Sequence, residues 1–477
     1  MKKNILLTLL LLGAATIQAK VTLPALMGDN MVLQQQTEVR LWGQATPRSE
    51  VRVTPSWNGQ TVTTRTDGEG RFLLTVATPA ASYTPYSITF DDGSPLTVQN
   101  VLIGEVWLAS GQSNMEMPLR GFSGCCIEGG VDDIIASVDQ KGVRMFNVPR
   151  RQSFEEQTEC DGNWMLPSVA TAADFSATAY YFAVSASKAL GIPVGIINCS
   201  YGGSAVESWI NRATLENYPD IPTTREAIEK IEPTWERPLL MYNGMLKPTQ
   251  NYTIRGIIWY QGETNVGRHQ TYAQRLADMV ALWRSEWGLG DIPFYFAEIA
   301  PYDYDSNTQH NKAAFLREAQ FRAQSLIANS AMISTNDLVE PYERFNIHPR
   351  RKREVGRRLS YLALNLTYGM SQIHCFSPQY KSLTLDGDKA LIALDHLEMG
   401  ICRNYDLQGF EVAGADRRFY PADSVFIRWE VNLVEVQSAR VPKPVAVRYC
   451  FKDFQVGTLI GGNELPLIPF RTDDWEE

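Results

Sequence analysis

The 477-residue chain is 44% hydrophobic and 20% charged, with seven cysteines and a net charge of −9 at pH 7. Its length calls for two or three domains, and the composition excludes disordered and collagen-like classes. An acidic chain with pI near 5.3 is a poor match for nucleic acid or an anionic membrane surface.

Lys2 and Lys3, the apolar run Ile5–Leu12 and the sequence Ile17-Gln18-Ala19 read as a signal peptide spanning 1–19, cut after Ala19. The protein is therefore expected in the periplasm or outside the cell. No cysteine stands at the cut, so no lipid anchor is expected, and no later run is long enough to span a membrane. Residues 20–100 read as an N-terminal β-sandwich. Alternating runs such as Glu38–Trp42 and Glu50–Thr54 are separated by the turn signals Asn58-Gly59 and Asp67-Gly68.

From 101 to 370, strands alternate with helices, the pattern of an α/β domain built on a parallel sheet of about five strands. Three apolar strands lead directly into polar, glycine-containing loops. Val101–Ala109 precedes Ser110-Gly111-Gln112-Ser113-Asn114-Met115, Val194–Asn198 precedes Tyr201-Gly202-Gly203-Ser204, and Ile254–Tyr260 precedes Gln261-Gly262-Glu263-Thr264-Asn265. Further strands are expected at Val143–Val148, Pro293–Ile299 and Ala331–Thr335. Helices are expected at Ala177–Leu190, Tyr272–Trp287, Lys312–Ile327 and Glu354–Leu366. The proline-rich stretch 205–250 reads as a long irregular insertion. The cations Arg350–Arg353 and Arg357-Arg358 read as a solvated helix face. After Ser371 the strand pattern returns, so 371–477 is a C-terminal β-rich region, either a separate sandwich or a completion of the first.

Loops at the carboxyl ends of parallel strands converge on one crevice. Ser113, at a strand-to-helix turn, is a candidate nucleophile or a helix-capping serine. Gly203 offers a close-approach amide or a simple turn, and Gln261 a placed side-chain amide or a loop cap. His348, before Pro349, is the one histidine whose setting suits a general base. His269 and His310 read as surface positions, and His374 and His396 fall in the β-rich tail. The cysteines match no zinc spacing. One or two disulfides are expected, one of them linking Cys125 or Cys126 to a distant partner, with Cys199 a core residue.

Together these motifs, with Asn346-Ile347-His348-Pro349 followed by Lys352 and Gly356, resemble the SGNH hydrolases, and within them the sialate O-acetylesterase family of carbohydrate esterases. Glu411–Asp416 and Pro469–Asp473 extend the likeness into the tail. The resemblance implies a three-layer SGNH (flavodoxin-like) sheet, Ser113 as nucleophile and His348 as base. It also implies an oxyanion hole from the amides of Ser113 and Gly203 and the side chain of Gln261. Relatives typically carry aspartate where this chain has Asn346, so the third triad member is open among Asn346, Glu343, Asp337 and Glu263, or absent. The implied activity is removal of O-acetyl groups from sialic acids, position 9 foremost, with no metal, cofactor or obligate protein partner. The alternatives are an acetylxylan or general glycan deacetylase and a non-catalytic carbohydrate-binding protein.

Overall fold

The computed structural model describes residues 20–305, 311–404 and 406–475. The expected signal peptide and His310 lie outside the described residues. The central element is the 16-residue strand Leu96–Gly111. Its first half pairs antiparallel with Ser82–Asp91, within the N-terminal strands. Its second half pairs parallel with Val194–Ser200 on one side and Gly256–Tyr260 on the other. A single strand therefore crosses position 100/101, where its antiparallel ladder shifts register and Asn100 takes a positive φ of 55°.

Outward from this strand the sheet continues through Val143–Asn147 on one flank and through Phe294–Ala297 and Ser330–Ile333 on the other. Six parallel strands result, against about five expected, with the short Trp164–Met165 antiparallel at one edge. Successive residues alternate between two cores. Val106, Leu108, Ile257 and Trp259 face one, and Trp107, Ala109, Ile258 and Tyr260 face the other. Burial on both faces explains why these strands read as continuous apolar runs. Helices Ala177–Leu190 and Lys352–Leu362 contribute to one core, and His269–Trp287 and Lys312–Ala323 to the other.

The helix starts and stops follow local chemistry. The Ser176 side chain accepts from the Ala179 amide, and Gly191 closes the same helix in the left-handed conformation. The basic cluster departs from expectation. Lys352 and Arg358 are buried, and Arg358 bonds both oxygens of Asp337. Arg351 and Arg353 pair with Glu340 and Asp133. Arg350, Arg351, Arg353 and Arg358 are thus paired with acids, and Arg357 alone of the cluster is exposed as expected.

The C-terminal region builds its own two four-stranded antiparallel sheets around one core and does not complete the N-terminal one. All seven cysteines are free thiols, so the expected disulfides are not formed; Cys199, Cys375 and Cys450 are buried. His269 is half-buried, its ring stacked on Phe315, rather than a surface position. No helix among the described residues is long and apolar enough to cross a membrane.

Candidate active site

Strand register explains why the motif loops meet. Gly111 stands opposite Ser200 on one neighbour and Tyr260 on the other. The loops leaving these three strands therefore start at one level, at the point where the chain switches from one flank of the sheet to the other. At Gly111, φ is 138°, and an added Cβ would lie 2.1 Å from the Tyr260 carbonyl oxygen. Only glycine permits that turn. Ser113 then opens a single helical turn, Ser113–Glu116.

The loops are stitched together by side chains inside the same motifs. Gln112 Oε1 accepts the amides of Gly262 and Thr264 at 3.1 and 3.4 Å. Thr264 Oγ1 donates to the Gly203 carbonyl at 2.9 Å. Asn114 Nδ2 donates to Glu263 and, at 3.0 Å, to the Ile347 carbonyl, which ties the serine turn to the histidine loop. Lys352 Nζ donates to the Pro349 carbonyl from the other side. Gln112, Asn114 and Thr264 were not singled out from sequence, although each lies in a quoted motif.

His348 Nε2 lies 2.9 Å from Ser113 Oγ. These residues are 235 positions apart in the chain. The imidazole packs edge-on against Phe122, with ring centroids 5.1 Å apart. Burial, then the nearby Lys352 charge, pushes its pKa down to about 4, so the ring is neutral and can accept a proton from serine at ordinary pH. Lys352 is itself pushed down to about 7 by burial, while burial pushes Glu263 up.

None of the four candidate orienting groups bonds the His348 ring. Asn346 Oδ1 accepts the backbone amide of His348 at 3.1 Å and faces Cys125 Sγ at 3.4 Å. A side chain two residues before the histidine closes a local turn more readily than it reaches the ring. Glu343 accepts the backbone amides of Glu340 and Arg350, Asp337 is held by Arg358, and Glu263 by Asn114. The geometry is that of a serine–histidine dyad.

The expected oxyanion donors divide. Among the described residues, the amides of Ser113 and Gly203 donate to no protein acceptor. Gly203 has φ of 80°, and an added Cβ would meet the Trp235 ring at 2.3 Å. Gln261 is turned inward and completely buried. Its Nε2 donates to the Ser204 carbonyl at 3.1 Å and to Asn265 Oδ1 at 2.7 Å, and its Oε1 accepts from Tyr272. Both amide protons are committed, so Gln261 braces the floor and has no proton free for an oxyanion. No group of three or more His, Cys, Asp or Glu among the described residues is arranged to hold a metal ion.

A serine hydroxyl beside a neutral imidazole, with two uncommitted amides at hand, can support acyl transfer. Comparison with known proteins gives a concordant result. The family model described as carbohydrate esterase, sialic acid-specific acetylesterase, matches residues 103–365. The sialate O-acetylesterase of Mus musculus is 26% identical, the alignment covering 93% of this chain and 92% of that protein. Its Homo sapiens namesake is 24% identical over 81% and 79%. The crystal structure of a carbohydrate acetylesterase from Xanthomonas citri aligns with a TM-score of 0.84 and 32% identity, over 96% of this chain and 100% of that one.

Proposed function

This chain belongs to the sialic acid-specific acetylesterase family of carbohydrate esterases, and from that premise we propose that it removes O-acetyl groups from sialic acids, position 9 foremost, outside the cytoplasm. Ser113 Oγ attacks the acetyl carbonyl while His348 Nε2 takes its proton. The Ser113 and Gly203 amides stabilise the oxyanion, the sugar hydroxyl leaves with the proton from His348, and a water activated by the same ring releases acetate. The single observation that carries this reading is the 2.9 Å Ser113–His348 contact at the carboxyl edge of the sheet. The site outside the cytoplasm rests on the basic, apolar and small-residue order of residues 1–19. A three-layered SGNH-type core, and the divisions at 20–100, 101–370 and 371–477, belong to the same proposal.

Acetate release from 9-O-acetylated sialic acid and from acetylated xylan, by wild type and Ser113→Ala, tests it. The expected result is release from the sialic acid that Ser113→Ala abolishes. Release from xylan alone would replace the sialate reading with the general glycan deacetylase.

A further inference from the structure

We propose that Arg150 anchors the carboxylate of the sugar acid during turnover, a specificity subsite beside the nucleophile; this rests on the sialate reading above. A sialic acid differs from a neutral acetylated sugar by a carboxylate, and a planar guanidinium matches that group with two parallel hydrogen bonds.

Arg150 lies beyond the carboxyl end of strand Val143–Asn147, on the same edge as the serine. Its Nε and Nη2 donate to the two oxygens of Glu116, the last residue of the turn that Ser113 opens. Glu116 is fixed in turn by the Gly202 amide, which donates to it at 2.9 Å. The guanidinium lies over the Tyr201 ring, 4.9 Å from its centroid. Tyr201 OH accepts from Gln152 at 3.1 Å. A Cβ placed on Gly202 would be 2.7 Å from Glu116 Oε2, 3.2 Å from Arg150 Nη2 and 3.4 Å from Ser113 Cβ, so the Glu116–Arg150 pair and the serine side chain meet around one point.

Two of the five guanidinium N–H groups are spent on Glu116, and Nη1 has no protein acceptor among the described residues. The Arg150 side chain is 55% exposed, so that free edge is open to a ligand. The fork is thus held rigidly on one side and available on the other. Preorganisation of this kind lowers the ordering cost of binding. Arg351 and Arg353 are likewise paired with acids, but their side chains are less exposed, at 30% and 38% against 55% for Arg150, and Lys352 is buried.

The experiment measures acetate release from 9-O-acetyl-N-acetylneuraminic acid and from its C1 methyl ester, which lacks the carboxylate charge. Wild type is expected to prefer the acid by about 10- to 100-fold in kcat/KM, carried by KM, the scale of hydrogen bonds to a charged group. Arg150→Gln is expected to bring that ratio to about one, and Arg150→Lys to leave part of it, because charge remains while the fork is lost. A wild-type ratio near one overturns the subsite, as does a variant that keeps the wild-type ratio whatever its absolute rate; Arg150 then serves only to hold Glu116. If wild type releases acetate from neither compound yet acts on acetylated xylan, the sialate reading falls and the subsite with it.

Discussion

The imidazole of His348 is held neutral by burial and by the Lys352 charge, which push its pKa down to about 4. A general base works only when deprotonated, so activity is lost as pH falls through that value rather than near 6.5. The pH profile of kcat/KM is expected to show an acid limb near 4. Lys352→Met removes a neighbouring positive charge and should move the limb upward; an unmoved limb would mean that burial alone sets it. Asn346 presents a second residue-scale test. Because its oxygen accepts the backbone amide and not the ring, Asn346→Ala should cost less than about tenfold in kcat, whereas His348→Ala should cost on the order of 10³ or more. A loss at Asn346→Ala comparable with that at His348→Ala would show that the amide orients the ring during turnover. The meeting of Ser113 and His348 was legible from sequence because one follows a buried strand directly and the other lies on a loop that such a strand opens. The inward turn of Gln261 was not, because it depends on Asn265, Tyr272 and Ser204 meeting around it.

Helix placement carried a clear signal. The expected Ala177–Leu190 matches the helix end for end, since a serine cap and a following glycine bracket an apolar pattern. The helix expected at Glu354 begins at Lys352, and its basic side chains misled because charge alone does not reveal acids such as Asp337 brought in from distant loops. The close approach between these two helices depends on Gly356. An added Cβ there would lie 2.6 Å from the Thr178 carbonyl oxygen and 2.6 Å from Tyr181 Cβ. Alanine gains roughly 1 kcal/mol of helix propensity, but forcing packed helices apart costs about 1–3 kcal/mol. Backbone and Cβ atoms cannot swing aside, so the second effect should win. Gly356→Ala is expected to lower the urea midpoint, and an unchanged or higher midpoint would show that the helices separate freely.

Across the whole molecule, the helix Lys312–Ala323 fastens the C-terminal sheets to the central sheet. Arg317 is buried and donates to the carbonyls of Cys450 and Lys452. Glu318 holds Arg471 through both oxygens, and Asp453 caps the Ala313 amide. Burial pushes the Glu298 carboxyl up, and the Arg317 charge draws it back. Arg317→Ala should destabilise by about 3 kcal/mol, the scale of removing one partner from a buried charged network, read as a shift in denaturant midpoint. A change below about 0.5 kcal/mol would mean that the C-terminal sheets stand without it. The β–α–β order was readable from alternating strand and helix patterns. The one strand that runs through 100/101, and the pairing of the C-terminal strands into sheets of their own, follow from long-range pairing that local patterning does not encode.

The central claim is that Ser113 is a nucleophile activated by His348. Its most direct test is reaction of the protein with a fluorophosphonate probe, followed by peptide mass spectrometry, for wild type and His348→Ala. The account predicts one adduct, on Ser113 of the wild type, with parallel loss of esterase activity and little labelling of His348→Ala. An adduct on another residue, or full esterase activity after complete labelling of Ser113, would contradict it.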